Sequence, residues 1–160
     1  MELQSRRAVP SPLQVLAHDP DAQVREGAAA AFRRVGSRAV LTALTRVLDN
    51  LQEDPDVRSG AAEALGDIAL VKRSTVAPAV PSLLAALSDK DAWVRHDSAV
   101  ALGYLREPRA LSPLVALLRS DPDMRVRESA AGALGWIKSQ DGLEPLLSVL
   151  ENKSESLVLQ

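Results

Sequence analysis

A chain of 160 residues with a formal net charge of −2 is long enough for one buried core and lacks the concentrated basic footprint of a nucleic-acid backbone binder. With no cysteine, disulfides, thiolate chemistry and cysteine-ligated metals are excluded, and two histidines leave almost nothing from which to build a Ser/His/Asp triad. Aromatics make up only 2% of a chain dominated by alanine and leucine, as expected where small-residue helices pack closely.

In chain order, residues 1–10 are polar and end at Pro10, a loose lead-in or short cap. They lack the apolar core of a signal peptide, and no apolar run approaches membrane-spanning length, so the expectation is a soluble cytoplasmic protein with no membrane partner. Pro12 to His18 reads as a first helix, Asp19-Pro20-Asp21 as a turn, and a second helix runs to about Val35 before Gly36-Ser37. Ala39 to Leu51 carries an amphipathic stripe of Val40, Leu44, Val47, Leu48 and Leu51. Residues 69–78 form an insertion of about five residues, read as a lengthened helix end plus loop. A third first-helix starts near Pro78 with Val80, Leu83, Leu84 and Leu87 inward, and a fourth spans Arg109 to Leu118. Asp141 to Leu150 repeats that fourth pattern, and Pro113 and Pro145 should tighten the first turns of their helices. The tail, 151–160, is charged and then apolar.

One stretch occurs four times, centred on Val24, Val57, Val94 and Val126 at spacings of 33, 37 and 32 residues. An aspartate stands three before each valine (Asp21, Asp54, Asp91, Asp123) and an arginine one after it (Arg25, Arg58, Arg95, Arg127). Alanines follow at offsets five and seven, and a bulky apolar residue at offset eight. Offsets 0, 4, 7, 8 and 11 share one face of a helix. The aspartate falls where an N-cap belongs, and Pro55 sits at the first helical position. Self-similarity of this period predicts an all-α solenoid of about four and a half helix pairs: 11–36, 37–68, 76–105, 106–137 and a half repeat at 138–150. The arginines and aspartates are read as a structural ladder along the inter-helix turns; a row of basic ligand-binding groups is the alternative.

The pattern Asp121-Pro122-Asp123 through Gly135, joined to Arg109-Ala110-Leu111 and Pro113-Leu114, resembles the short HEAT-like repeats of phycobilisome bilin-lyase subunits and of bacterial scaffolds. The resemblance covers residues 11–150 and implies helix pairs stacked into a curved α-solenoid with the second helices on the concave side. It also implies an alternative role, a bilin-lyase-like subunit or chaperone that binds a linear tetrapyrrole or a phycobiliprotein.

With the core face fixed, offsets 2, 6, 9 and 10 are expected on the inner surface. They supply candidate partner-binding residues Glu63, Asp67, His96, Val100, Tyr104, Glu128, Trp136 and Arg34, with Trp93 near the same edge. Exposed tryptophan and tyrosine are favoured in binding hot spots; packing of Trp136 under the last half repeat and of Trp93 over a loop is equally compatible with the sequence. Deoxyhypusine hydroxylase, another HEAT-like protein, holds two irons with His-Glu pairs at positions corresponding to His96-Asp97. Here the aligned pairs are Glu26-Gly27, Ser59-Gly60 and Glu128-Ser129, too few ligands for such a centre, so no metal site is expected. Phosphate-cradling glycine loops are absent. A HEAT-like DNA-repair enzyme would need a basic groove, whereas the inner positions mix Glu26, Glu63, Asp67 and Glu128 with Arg33 and Arg34. The sequence thus leans away from an enzyme and toward a scaffold that binds another protein, without cofactor. Poorly capped solenoid ends add the expectation of self-association.

Overall fold

The computed structural model describes residues 11–137, and the half repeat and tail expected at 138–160 lie outside the described residues. Eight α-helices form among the described residues: α1 (Pro12–His18), α2 (Ala22–Ala31), α3 (Arg38–Asp49), α4 (Pro55–Val76), α5 (Val80–Ala86), α6 (Ala92–Leu105), α7 (Leu111–Ser120) and α8 (Met124–Ile137). Short 3₁₀ turns, Ala77–Ala79 and Pro108–Ala110, lead into α5 and α7 and hold Pro78 and Pro108, whereas Pro113, expected to kink or tighten its first turn, lies within α7, and Pro145 falls outside the described residues. The molecule is an α-solenoid of stacked helix pairs.

Local chemistry sets the helix starts. Ser11 caps α1 in a full capping box with Gln14. The carboxylates of Asp21, Asp54 and Asp91 each accept a hydrogen bond from a backbone N–H of the first turn of α2, α4 and α6, and Asp123 accepts from the Arg125 N–H at 2.8 Å. At its far end α6 stops on Arg106, which takes the left-handed conformation (φ 53°, ψ 47°) and donates its N–H to the Gly103 carbonyl.

The even-numbered helices form one layer and the odd-numbered helices the other. Packing is most extensive between α4 and α6 and between α6 and α8, and α2 on α4 is comparable to the contact within a helix pair, while successive odd helices touch far less. The cause lies in side-chain size. A Cβ built on Gly66 would stand 3.2 Å from the Ala101 Cα, and one on Gly103 would stand 2.8 Å from the Ala133 Cα. Alanine against glycine lets the even helices approach closely, whereas Leu41, Leu44, Val47, Leu83 and Leu114 fill the wider space beneath the odd ones. Unequal spacing curves the stack, with the even helices on the concave side.

Three expectations need correction. Offset nine does not lie free on the inner surface: Gly66 and Gly103 are buried where one even helix meets the next. In the first repeat Val24 and Val35 are 44% and 46% exposed, and Ala31 is exposed too, because these offsets face the preceding even helix and none precedes α2 among the described residues. Leu51 is 66% exposed, since α3 ends at Asp49 and the chain turns before Leu51 can join its stripe.

The insertion is a longer helix. α4 runs to Val71, breaks at Lys72 (φ −151°, ψ 86°) and resumes to Val76. Taken through the 3₁₀ turn, Pro55–Ala86 is long enough to cross a membrane and holds an apolar window of mean hydropathy 1.2, against the expectation that no apolar run approaches that length. The break divides it, and its first half supplies the central helix of the stack, with Val57, Ala61, Leu65 and Ile68 buried.

Candidate binding surface

The repeated arginines run along one edge of the stack. Each donates to a carbonyl of its own inter-helix turn: Arg25 to Asp19 at 2.6 Å, Arg58 to Glu53 at 3.3 Å, Arg95 to Asp89 at 2.9 Å and Arg127 to Asp121 at 2.8 Å. Three of them also reach the carboxylate of the following turn. Arg25 bonds Glu53, Arg58 pairs with Asp89, and Arg95 grips Asp121 with two bonds of 2.8 Å. The partners are therefore Glu53, Asp89 and Asp121, and not Asp21, Asp54, Asp91 and Asp123, which are occupied as N-caps. The turns Asp89-Lys90-Asp91 and Asp121-Pro122-Asp123 carried this signal, the first acid taking the arginine and the second capping the helix, and Glu53-Asp54 divides the roles in the same way without the spacer.

Burial is the largest influence on Glu53 and Asp121 and opposes their ionisation, yet the hydrogen bonds from Arg25 and Arg95, those from the backbone N–H of Asp54 and Asp123 and the nearby guanidinium charges together outweigh it and hold both carboxyls below their ordinary values. The arginine bonds in turn raise Arg25 and Arg95. Arg58 has no exposed surface, and Asp89 beside it has almost none. Bonded to their own turn and, for Arg25, Arg58 and Arg95, to the next, these arginines are components of the stack.

The concave surface carries the other candidates in rows. The offset-six row is Ala30, Glu63, Val100 and Gly132, and the offset-ten row is Arg34, Asp67, Tyr104 and Trp136. Arg33, not singled out among the candidates, pairs with Glu63 and stands 3.7 Å from Asp67, one cation set against two carboxylates between α2 and α4. Ser59 donates its hydroxyl to Asp97. Burial pushes the Asp97 and Glu63 carboxyls up, and neither Ser59 nor Arg33 fully offsets it. Glu128 and Arg34 are exposed.

The aromatics divide into two places. Tyr104 and Trp136 lie against one another with ring centroids 4.7 Å apart, bridging α6 and α8 over Gly103, and Trp136 remains 41% exposed. Trp93 is not near that edge. It stands at the opposite end of α6, 45% exposed, with the Arg125 guanidinium 4.2 Å from its ring centroid and His96 edge-on at 5.6 Å. Eleven residues of helix separate Trp93 from Tyr104, about 16 Å at the helical rise. Each ring sits between neighbouring even helices, a relation set by the stack and invisible in local sequence.

His96 turns its Nδ1 toward the Arg125 carbonyl at 3.3 Å, and its Nε2 is 3.9 Å from Asp97. No group of three or more His, Asp or Glu side chains able to hold a metal occurs among the described residues. A di-iron set does not fit this donor arrangement, because one imidazole faces serine, glycine and glutamate at the matching positions of the other repeats.

Stacked helix pairs, an arginine ladder at the turns and a small-residue concave layer define an α-solenoid of the helical-repeat class. The sequence profile of HEAT repeats matches residues 9–99 and again 80–160, and the chain belongs to that family. Over 84 residues it is 39% identical to deoxyhypusine hydroxylase from Eremothecium gossypii, which accounts for 52% of this chain and 24% of that protein. The chain thus spans about a quarter of the length of this curated relative. Among solved structures, the complex of CpcE and CpcF of phycocyanin lyase from Nostoc sp. PCC7120 is similar at a TM-score of 0.68 and 26% identity, covering 92% of this chain and 62% of that one. A designed armadillo repeat protein in complex with the peptide (KR)4 is similar in fold, with a TM-score of 0.64, 23% identity and coverages of 88% and 70%.

Proposed function

We propose that the chain is a non-enzymatic interaction module whose concave surface takes a segment of another protein against the Tyr104–Trp136 pair. One observation carries this reading: a stacked aromatic pair left 41% exposed at Trp136, on the inner side of a helical repeat. Val100, Glu63 and Asp97 lie on the same surface, and a cationic side chain placed there would relieve the two carboxylates that burial disfavours. The association of CpcE with CpcF supports a role in which such a solenoid meets a second protein. Affinity capture of partners from the native host should lose its specific band, or weaken roughly 30-fold, with Trp136→Ala and Tyr104→Ala. Capture unchanged by both would remove this surface from the account.

The phycocyanin-lyase likeness favours a second reading, a subunit that binds a linear tetrapyrrole or a phycobiliprotein. A flat pyrrole system would stack on the same aromatic pair. Titration with bilin should then shift its visible absorption, and an unshifted band at high protein concentration would dismiss this reading.

A further inference from the structure

The longest spacing between repeats, 37 residues, lies between Val57 and Val94, and the added residues change the surface. α2 ends at Ala31, but α4 continues to Val71 before its break, so the end of α4 overhangs its neighbour. Leu70 and Val71 are 59% and 81% exposed there. Beside them, on the inner side, lies a groove of about 480 Å³ lined by Ala30, Ala31, Arg34, Asp67, Leu70 and Val71. Nearby, Gly36 packs its backbone against Ile68 and Thr75 at the same end of α4, and Val35 before it is 46% exposed.

The charges around this apolar recess are unequal. Arg33 also lines it, but its charge is met by Glu63 and Asp67. Arg34, on the lining itself, is exposed and makes no ion pair with any other of the described residues, and the exposed Lys72 and Arg73 follow Val71 directly in the chain. Exposed apolar side chains, a recess and an unanswered cation occur together beside the lengthened end of α4.

The geometry points to a second docking groove between the ends of α2 and α4, whose occupant is a short protein segment with leucine-like side chains flanked by aspartate or glutamate. The recess takes the apolar side chain, and Arg34, Lys72 and Arg73 complement the acids. A groove of about 480 Å³ between two helices suits a protruding side chain, and an anionic bilayer on the overhanging Leu70 and Val71 is an outcome the test must separate from it. The inference rests on the chain being a protein-interaction solenoid, but it concerns the opposite end of the concave surface from Trp136.

Fluorescence anisotropy of a labelled peptide alternating leucine and glutamate, titrated with the full chain, tests it. Binding should weaken at least about tenfold with Val71→Asp and with Arg34→Glu, both at exposed positions, while thermal melting shows each variant folded. Trp136→Ala should leave this peptide's affinity unchanged. Several results would overturn the groove: no binding of the leucine–glutamate peptide, equal binding of a leucine–lysine peptide, or affinity lost with Trp136→Ala but not Val71→Asp. Sedimentation with phosphatidylserine vesicles in place of peptide binding, with the same dependence on Val71, would also overturn it. Because the Trp136 variant reads the aromatic end separately, failure of the groove and failure of the concave-surface reading are distinguishable.

Discussion

Arg58 and Asp89 form an ion pair with essentially no exposed side-chain surface, joining the second repeat to the third. One guanidinium nitrogen of Arg58 has no hydrogen-bond partner, so the arginine depends on Asp89 and on the Glu53 carbonyl. Asp89→Ala should cost roughly 3–5 kcal/mol in urea unfolding, because it strands a buried cation, whereas replacing both residues with apolar ones should cost far less. Asp97 and Asp121 should respond to pH with opposite sign. The Asp97 carboxyl is raised from its ordinary 3.8 by burial, so its ionisation weakens the fold as pH rises through the raised value. Asp97→Asn should therefore raise Tm by a few degrees, about 2–4 °C per kcal/mol, at pH 7 and lose that gain toward pH 3. Burial also opposes ionisation of Asp121, but the Arg95 bonds, the Asp123 N–H and the Arg95 charge together prevail and lower it, so its contribution is present above the ordinary carboxyl value and lost as pH falls through the lowered one. Asp121→Asn should lower Tm at pH 7, the deficit shrinking on acidification.

The even helices owe their close approach to glycine and alanine at matching positions, and Gly103 is the tightest of these. A Cβ there would meet Trp136 at 2.6 Å and both Cα and Cβ of Ala133 below 3.0 Å, so α8 would have to move. Gly103→Ala should destabilise by about 1–3 kcal/mol despite alanine's higher helix propensity. Gly27, inside α2 with no atom within 4 Å of such a Cβ, should do the reverse, Gly27→Ala gaining about 0.5–1 kcal/mol. The contrast shows what was legible in the sequence. Caps, helix starts and the buried offsets of repeats two to four follow from local hydrogen bonding and from the 3.6-residue period, and both are written in one segment. The burial of Gly66 and Gly103, the true acids of the ladder and the two separate aromatic sites depend on how one even helix lies against the next. Repetition itself misled at the first repeat: Val24, Ala31 and Val35 carry the core pattern, yet burial there needs a preceding neighbour.

At the scale of the molecule, close spacing in the even layer and wide spacing in the odd layer produce a concave surface whose chemistry changes along its length. Arg34, the overhanging Leu70 and Val71 and the Arg33–Glu63–Asp67 cluster occupy one end, the Ser59–Asp97 contact the middle, and Tyr104 with Trp136 the other. The ladder and caps hold this surface in register without contributing groups to it, so the face a partner would meet is set by the stack beneath it. The most direct test places a photo-crosslinking amino acid at Val100 on the concave side and, separately, at Ala85, exposed on α5 in the outer layer. Irradiation in the native host should yield a partner adduct from position 100 and none from position 85. Adducts from position 85 alone, or equally from both, would contradict the assignment of binding to the concave surface.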